Sequence, residues 1–315
     1  MAIREQKISQ ARRNLISRKA RIWTWLRKEF LSDIKEPIKK WLEKLLKQAE
    51  HDIGAGEILI EPEMSQNITR IIEKLLKSSL AYGYWLQHVF TRECRSGKYR
   101  GHVKLADVPE DDELRQILEE LIDFDLAEDW QWNNVVPETA IEWLKDYTPM
   151  LVGSFEFGIL EKVRDVIRQS MEEGSTLQER IDALRESVFE LQEIAEQRLE
   201  AIARTEITRA DSMGSLIEMK TNSDVVGVEF SAILDDRTTQ ICESRHGLIM
   251  SINDPRLPEI IPPLHINCRS LLLSCTIYEY PDGVLTSHEF DEGLPETMQR
   301  DYDIQVIQDL LDSLE

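Results

Sequence analysis

The chain has 315 residues, 42% of them hydrophobic, which is enough to bury a sizeable core in about two domains. Its formal net charge of −21 excludes nonspecific nucleic-acid binding by the whole surface, because so acidic a body repels phosphate. Four cysteines in a chain this long exclude a disulfide scaffold and point to a reducing compartment, and no apolar run reaches the ~18 residues of a membrane span.

The opening MAIREQKISQARR lacks the apolar segment of a secretory signal, so the chain is expected to be made and kept in the cytoplasm, without membrane contact. Charge is unevenly spread. Residues 1–50 hold 14 Lys and Arg against 6 Asp and Glu, whereas residues 107–130 hold 11 acids against one base and residues 281–315 hold 10 acids against one base. Ile8, Leu15, Ile22 and Leu26 recur near multiples of a helical turn, which predicts a basic amphipathic helix over residues 1–31. Such an arm engages an anionic partner, neutralises an acidic patch of its own subunits, or is simply a solvated face.

Pro37 is suited to the first turn of a second helix, whose apolar stripe is Ile38, Trp41, Leu42, Leu45, Leu46 and Ala49. Gly54 and Gly56 end it, and GEILIEPEM reads as a short strand. A further helix is expected from about Ser65 to Phe90, followed by the basic, glycine-broken loop CRSGKYRGHVK. Leu114, Ile117, Leu118, Leu121 and Ile122 predict a helix with an acidic outer face, Pro137 and Pro149 each open another, and Gly174 ends the second of these. Thr176 and Glu179 form a capping box that starts a helical pattern continuing to about Lys220, long enough to contain a bend.

After residues 221–224 the period changes. VVGVEFSAIL alternates as a strand, GLIMSI reads as its hairpin partner, LLLSCTIYEY as a third strand, and a last helix is expected around Ile304–Leu314. The expected fold class is α+β, a predominantly α-helical body with a small C-terminal β-containing domain. The boundaries follow composition: a basic helical arm at 1–31, a helical body at 32–220, a β-containing knuckle at 221–280 and an acidic tail with a short helix at 281–315.

Candidate chemistry concentrates between Asp235 and Arg269, which hold two of the four cysteines and two of the six histidines. Cys242 and His246 are four apart, His265 and Cys268 three apart. Two tight thiol and imidazole pairs are the way a tetrahedral structural zinc site is built. A metal-free packed knuckle and a Cys242–Cys268 disulfide are the alternatives, and Cys275, inside an apolar strand, reads as a buried thiol. Asp235, Asp236, Arg237 and Thr238 close the preceding strand, as an acid–base pair or as caps of a turn. Upstream, Arg204, Thr205, Glu206, Thr208 and Arg209 interrupt an apolar helix. Arg204 or Glu206 would hold the loops of a small domain packed there, or form a plain surface salt bridge. Gly54-Ala55-Gly56 lacks the Gly-Lys and the strand-to-helix frame of a phosphate loop, and there is no Gly-x-Ser-x-Gly nucleophile elbow.

The segment from about Gly174 to Cys275 resembles the phage Mu F-like minor head proteins, also called phage head morphogenesis proteins. The resemblance rests on three ordered motifs covering a third of the chain: IARTEITRA at 202–210, DDRTTQICESRHG at 235–247 and PPLHINCRS at 262–270. Family members carry IARTE, then a D-x-R-T-C-x-x-C turn, then P-P-x-H-x-N-C-R-C. Thr239 and Ser270 stand where the family has cysteines, so two usual thiols are missing here, with His246 the candidate replacement ligand.

The resemblance implies a virion component without catalytic residues, inside the head near the portal vertex. It would associate with the portal protein, with capsid or scaffolding protein as a further partner and packaged double-stranded DNA as the partner of the N-terminal arm. Head assembly or genome delivery and ejection would be its task. Two alternatives stay open. One is a metal-dependent nuclease in which His265, Asn267 and Cys268 form the metal site and His246 or Asp235 serves as base or ligand, although residues 221–280 hold only four Arg and no Lys to line DNA. The other is a scaffold that binds DNA through the arm.

Overall fold

A computed structural model of the chain describes residues 2–55, 66–96, 138–173, 175–284 and 298–314. The fold is α+β, as expected. The described elements are helices α1 (Ala2–Ala55), α2 (Gln66–Ser96), α3 (Glu138–Glu172), α4 (Leu177–Glu186) and α5 (Val188–Thr221), then β1 (Val225–Ser231), α6 (Gln240–Arg245), β2 (Ile249–Ser251), a 3₁₀ turn at Leu257–Ile260, β3 (Leu271–Thr276) and α7 (Met298–Ser313). The expected strand in GEILIEPEM, the helix around Leu114–Ile122, the helix start at Pro137, Gly174 and most of the loop after Ser96 lie outside the described residues.

The helical body is organised on the crossing of α2 and α5. A Cβ placed on Gly83 would overlap the carbonyl oxygen of Asp211, and one on Gly214 would overlap that of Leu80. The two backbones therefore touch, a separation only glycine permits on each side. α1 lies along both helices, burying Leu15, Lys19, Ile22, Leu26, Phe30, Ile34, Ile38, Trp41, Leu45 and Ala49 at steps of three and four. α3 joins through Trp41 and Phe155, whose rings are 6.1 Å apart, and α7 packs against α3 and the 3₁₀ turn.

Two helix boundaries differ from expectation, for the same reason. Pro37 lies inside α1 and Pro149 inside α3, although each was expected to open a helix. A proline inside a helix forfeits one backbone hydrogen bond, but Ile34, Ile38 and Trp41 around the first and Tyr147, Val152 and Phe155 around the second are all buried, so packing carries the helix through. α1 consequently passes residue 31 without a break, and from Ala11 onward its apolar stripe is part of the body's core. The capping box forms as read: Glu179 N donates to Thr176 Oγ1 at 3.3 Å and Thr176 N donates to Glu179 Oε2 at 2.7 Å. The long helical run is interrupted at Ser187, which ends α4 and precedes α5.

The sheet is antiparallel in the order β2-β1-β3, with Val228 opposite both Met250 and Ser274. β3 is an edge strand, yet every residue of it is buried. Buried Gln87 of α2 closes that edge, its Nε2 donating to the Leu272 carbonyl at 2.7 Å while its Oε1 accepts from Ser274 Oγ at 3.0 Å. Arg12 of α1 reaches the sheet: Nη1 donates to Glu229 of β1, Nε to Glu279 Oε1, just past β3, at 2.8 Å, and Nη2 to the Ser274 carbonyl of β3 at 3.1 Å. The two carboxylates hold its guanidinium charged, well above the usual range, against the opposing effect of burial.

A candidate thiol and imidazole centre in the knuckle

α5 positions the site. Thr205 and Thr208 lie one turn apart on the helix, and both grip the loop that precedes β3. Asn267 N donates to Thr205 Oγ1 at 2.9 Å, and Thr208 Oγ1 donates to the Cys268 carbonyl at 2.9 Å. Asn267 takes a φ of 61°, a left-handed conformation that Asn tolerates better than most residues, and this turns its N–H toward α5. Arg204 and Glu206, expected either to hold these loops or to form a plain salt bridge, both make ion pairs along α5. Arg204 pairs with Glu200 at 2.6 Å on a partly exposed face, while Glu206 binds Arg209 at 3.0 Å beneath the surface. Arg209 in turn lies 5.5 Å from the ring centre of Tyr147 on α3.

The turn after β1 is closed by its own side chains. Asp235 N donates to Thr238 Oγ1 at 2.8 Å, Arg237 N donates to Asp235 Oδ1 at 3.0 Å, and Thr238 Oγ1 donates to the Ile233 carbonyl at 2.6 Å. Arg269 forks onto both oxygens of Asp235, with Nη1 to Oδ2 at 2.7 Å, and so bridges this turn to the loop before β3. That bond holds the Asp235 carboxyl well below the ordinary carboxylate range. Asp236 and Arg237 are exposed. The adjacent carboxylates thus divide between a turn lock and solvent.

Between these two loops the structure brings together Cys242, His265 and Cys268. Their donor atoms all lie within 4.8 Å of one another, and both thiols are buried. The sulfurs are 3.8 Å apart as free thiols, and Cys242 Sγ is 3.2 Å from His265 Nε2. His265 Nδ1 lies 2.8 Å from the Ile266 carbonyl, which can only accept, so Nδ1 carries the proton. In the neutral ring the Nε2 lone pair then faces the thiols and Thr239 Oγ1, 2.9 Å away. The Cys242 and His265 hydrogen bonds hold the Cys268 thiol well below its ordinary range, despite burial, whereas its bond to Cys268 and its own burial push the Cys242 thiol up. The bond to Cys268 raises the His265 imidazole, against the opposing effect of burial.

His246 is not part of this group. A continuous helix would place residues 242 and 246 on one face, but α6 ends at Arg245 and His246 takes an extended conformation, φ −61° and ψ 125°. Its ring turns back to the end of β1, where Nδ1 accepts from the N–H of Ala232, the residue after the strand, at 3.1 Å. Cys275 is elsewhere again, in β3, with burial first among the causes that push its thiol up to about 12.

Three contributors escaped the sequence reading. Lys19 of α1 is fully buried and donates to Asp211 Oδ2 and Ser215 Oγ, each at 2.7 Å. Its signal was position, since it falls on the apolar stripe between Leu15 and Ile22. Arg245, 1% exposed, sits inside the knuckle with Nη1 donating to the Ile241 carbonyl at 3.2 Å. Gln87 left no signal, because its partners are backbone and hydroxyl atoms about 185 residues away.

No helix among the described residues is long and apolar enough to cross a membrane. Residues 161–273, which contain α4, α5 and nearly all of the sheet domain, match the family described as Phage Mu protein F like protein. Comparisons with curated proteins and with solved structures return no match.

Proposed function

We propose that this chain, carrying a phage Mu protein F like segment over residues 161–273, is a head morphogenesis protein of a tailed bacteriophage. It is a non-enzymatic minor component of the virion, associated with the portal inside the capsid, and assists head assembly or genome delivery. The observation that carries the reading is the agreement of that match with one physical unit. The matched segment contains the helix Thr205 and Thr208 belong to, the turn locked by Asp235 and Arg269, and the loop they hold together. Thr205, Thr208, Asp235 and Arg269 of this unit hold its loops in place, the arrangement of a part that must keep its shape while a partner binds.

Co-purification tests the reading. The tagged chain should accompany procapsids that contain portal and be lost from portal-free particles. Deleting its gene should lower the yield of infectious particles, and unchanged assembly and infectivity would overturn the proposal.

One observation favours a second reading, the DNA-contacting scaffold. Lys35, Lys39, Lys40, Lys44 and Lys47 are exposed along α1, and Arg12 and Lys19 lie inside the fold. Replacing Lys39, Lys40, Lys44 and Lys47 by Gln leaves the buried stripe untouched and should remove salt-sensitive DNA binding. Unchanged binding would sink this reading. The nuclease reading draws less support, since Asp235 and His246 are bonded to Arg269 and to the Ala232 amide.

A further inference from the structure

We propose that Cys242, His265 and Cys268 bind one zinc ion, with the fourth position left to solvent on the side of Thr239. This inference rests on the knuckle geometry and is independent of the head-protein reading. Cys242 comes from the first turns of α6, and His265 and Cys268 from a tight turn closed by Cys268 N donating to the His265 carbonyl at 3.1 Å. Two short segments thus deliver three ligand atoms into a space 4.8 Å across.

The distances suit a metal better than a covalent bridge. A disulfide needs its sulfurs at ~2.05 Å. Two thiolates each ~2.3 Å from one tetrahedral ion are separated by ~3.8 Å. The observed separation is 3.8 Å. The imidazole is prepared in the way metal-binding histidines are, with Nδ1–H spent on the Ile266 carbonyl at 2.8 Å and the Nε2 lone pair left to point inward. Two sulfurs and one imidazole nitrogen are a soft set that selects zinc over magnesium or calcium.

The position of the three ligands leaves one side open. Both cysteines are buried, His265 is half-buried, and Thr239, exposed, brings its hydroxyl to 2.9 Å from Nε2. The site has three protein ligands and a labile fourth, with His246 excluded by its bond to Ala232. An ion here would join α6 to the same loop that Thr205 and Thr208 hold on α5, adding a second attachment for the small domain.

The test uses the full-length chain purified without chelators. Elemental analysis should find one zinc per chain. Exchange into cobalt should give the visible bands of a tetrahedral ion and a thiolate-to-cobalt charge-transfer band sized for two sulfurs. His246→Ala should keep both signals. His265→Ala and Cys268→Ser should each weaken metal affinity by more than the ~10–100-fold that loss of an outer hydrogen-bond partner causes, and Cys268→Ser should halve the charge-transfer band. A folded wild-type chain, judged by circular dichroism, that takes up neither ion overturns the site, as does His246→Ala losing metal as fully as His265→Ala. If the ligand variants do not fold, the wild-type cobalt spectrum decides alone: a two-thiolate band upholds the site and its absence refutes it.

Discussion

Lys19 of α1 and Asp211 of α5 form an ion pair of 2.7 Å with side chains 0% and 1% exposed. Ser215 takes a second proton of the ammonium at 2.7 Å and itself donates to the Asp211 carbonyl at 2.8 Å. The pair lies at the α2–α5 crossing, because the Asp211 carbonyl is the atom against which Gly83 packs. Burial raises the Asp211 carboxyl and Lys19 opposes that rise. Three helices are thus fixed in register at one buried polar contact.

Lys19→Met strands a buried carboxylate and should destabilise the chain by about 3–5 kcal/mol in urea unfolding, whereas Lys19→Met with Asp211→Leu should recover much of the loss. A double variant no more stable than Lys19→Met would mean that the pair is not the coupled unit described.

Gly83→Ala and Gly214→Ala each place a methyl group into backbone of the opposite helix. Neither helix can yield without moving the Lys19 site, so each should lose about 3 kcal/mol, at the high end for overpacking. Gly153, where an added Cβ would meet nothing within 4 Å, is the control, and Gly153→Ala should be neutral or slightly stabilising. Equal effects at all three positions would contradict the close crossing.

Thr205→Val and Thr208→Val keep shape while removing the hydroxyls that hold Asn267 and Cys268. Each should cost about 1–3 kcal/mol through an unsatisfied backbone group. Hydrogen exchange should quicken at Asn267 in Thr205→Val, with α2 unaffected. Arg204→Ala, which disturbs an exposed pair with Glu200, should cost about 0.5 kcal/mol or less.

Asp235→Asn tests the turn lock through pH. The folded carboxyl is held below its ordinary value by Arg269, so its contribution is present above the unfolded pKa of ~3.9 and is lost as pH falls through the folded one. Wild type should exceed the variant in stability by a constant margin from pH 7 down to about 5, and the margin should shrink progressively below about 4. A difference that stays constant to pH 3 would remove Arg269 as the cause.

Arg12→Met should destabilise the chain by about 2 kcal/mol, the scale of hydrogen bonds to charged groups, and should loosen β3 in hydrogen exchange before the α2–α5 core. Uniform loosening of all elements would show that Arg12 does not act through the sheet.

What the sequence determined by itself was the local and the periodic. Apolar spacing marked α1, α2 and α5, alternation marked β1, a following hairpin segment marked β2, a nearly continuous apolar run marked β3, and Thr176 with Glu179 marked a helix start, because each signal is set by near neighbours in the chain. The same order of motifs located the knuckle between Asp235 and Arg269. Tertiary structure decided which side chains meet. Spacing offered His246 as a ligand, but a helix that stops at Arg245 swings it away, while His265 and Cys268 are brought to Cys242 by a loop anchored on α5. Charge offered Arg204 and Glu206 as anchors or as a salt bridge; both pair along α5, while the hydroxyls of Thr205 and Thr208 hold the loop at low desolvation cost. Charge also offered an arm at 1–31, whereas Arg12 and Lys19 find carboxylates in the distant sheet and in α5. Such partners are invisible to a one-dimensional pattern, since they exist only once the helices have crossed at Gly83 and Gly214.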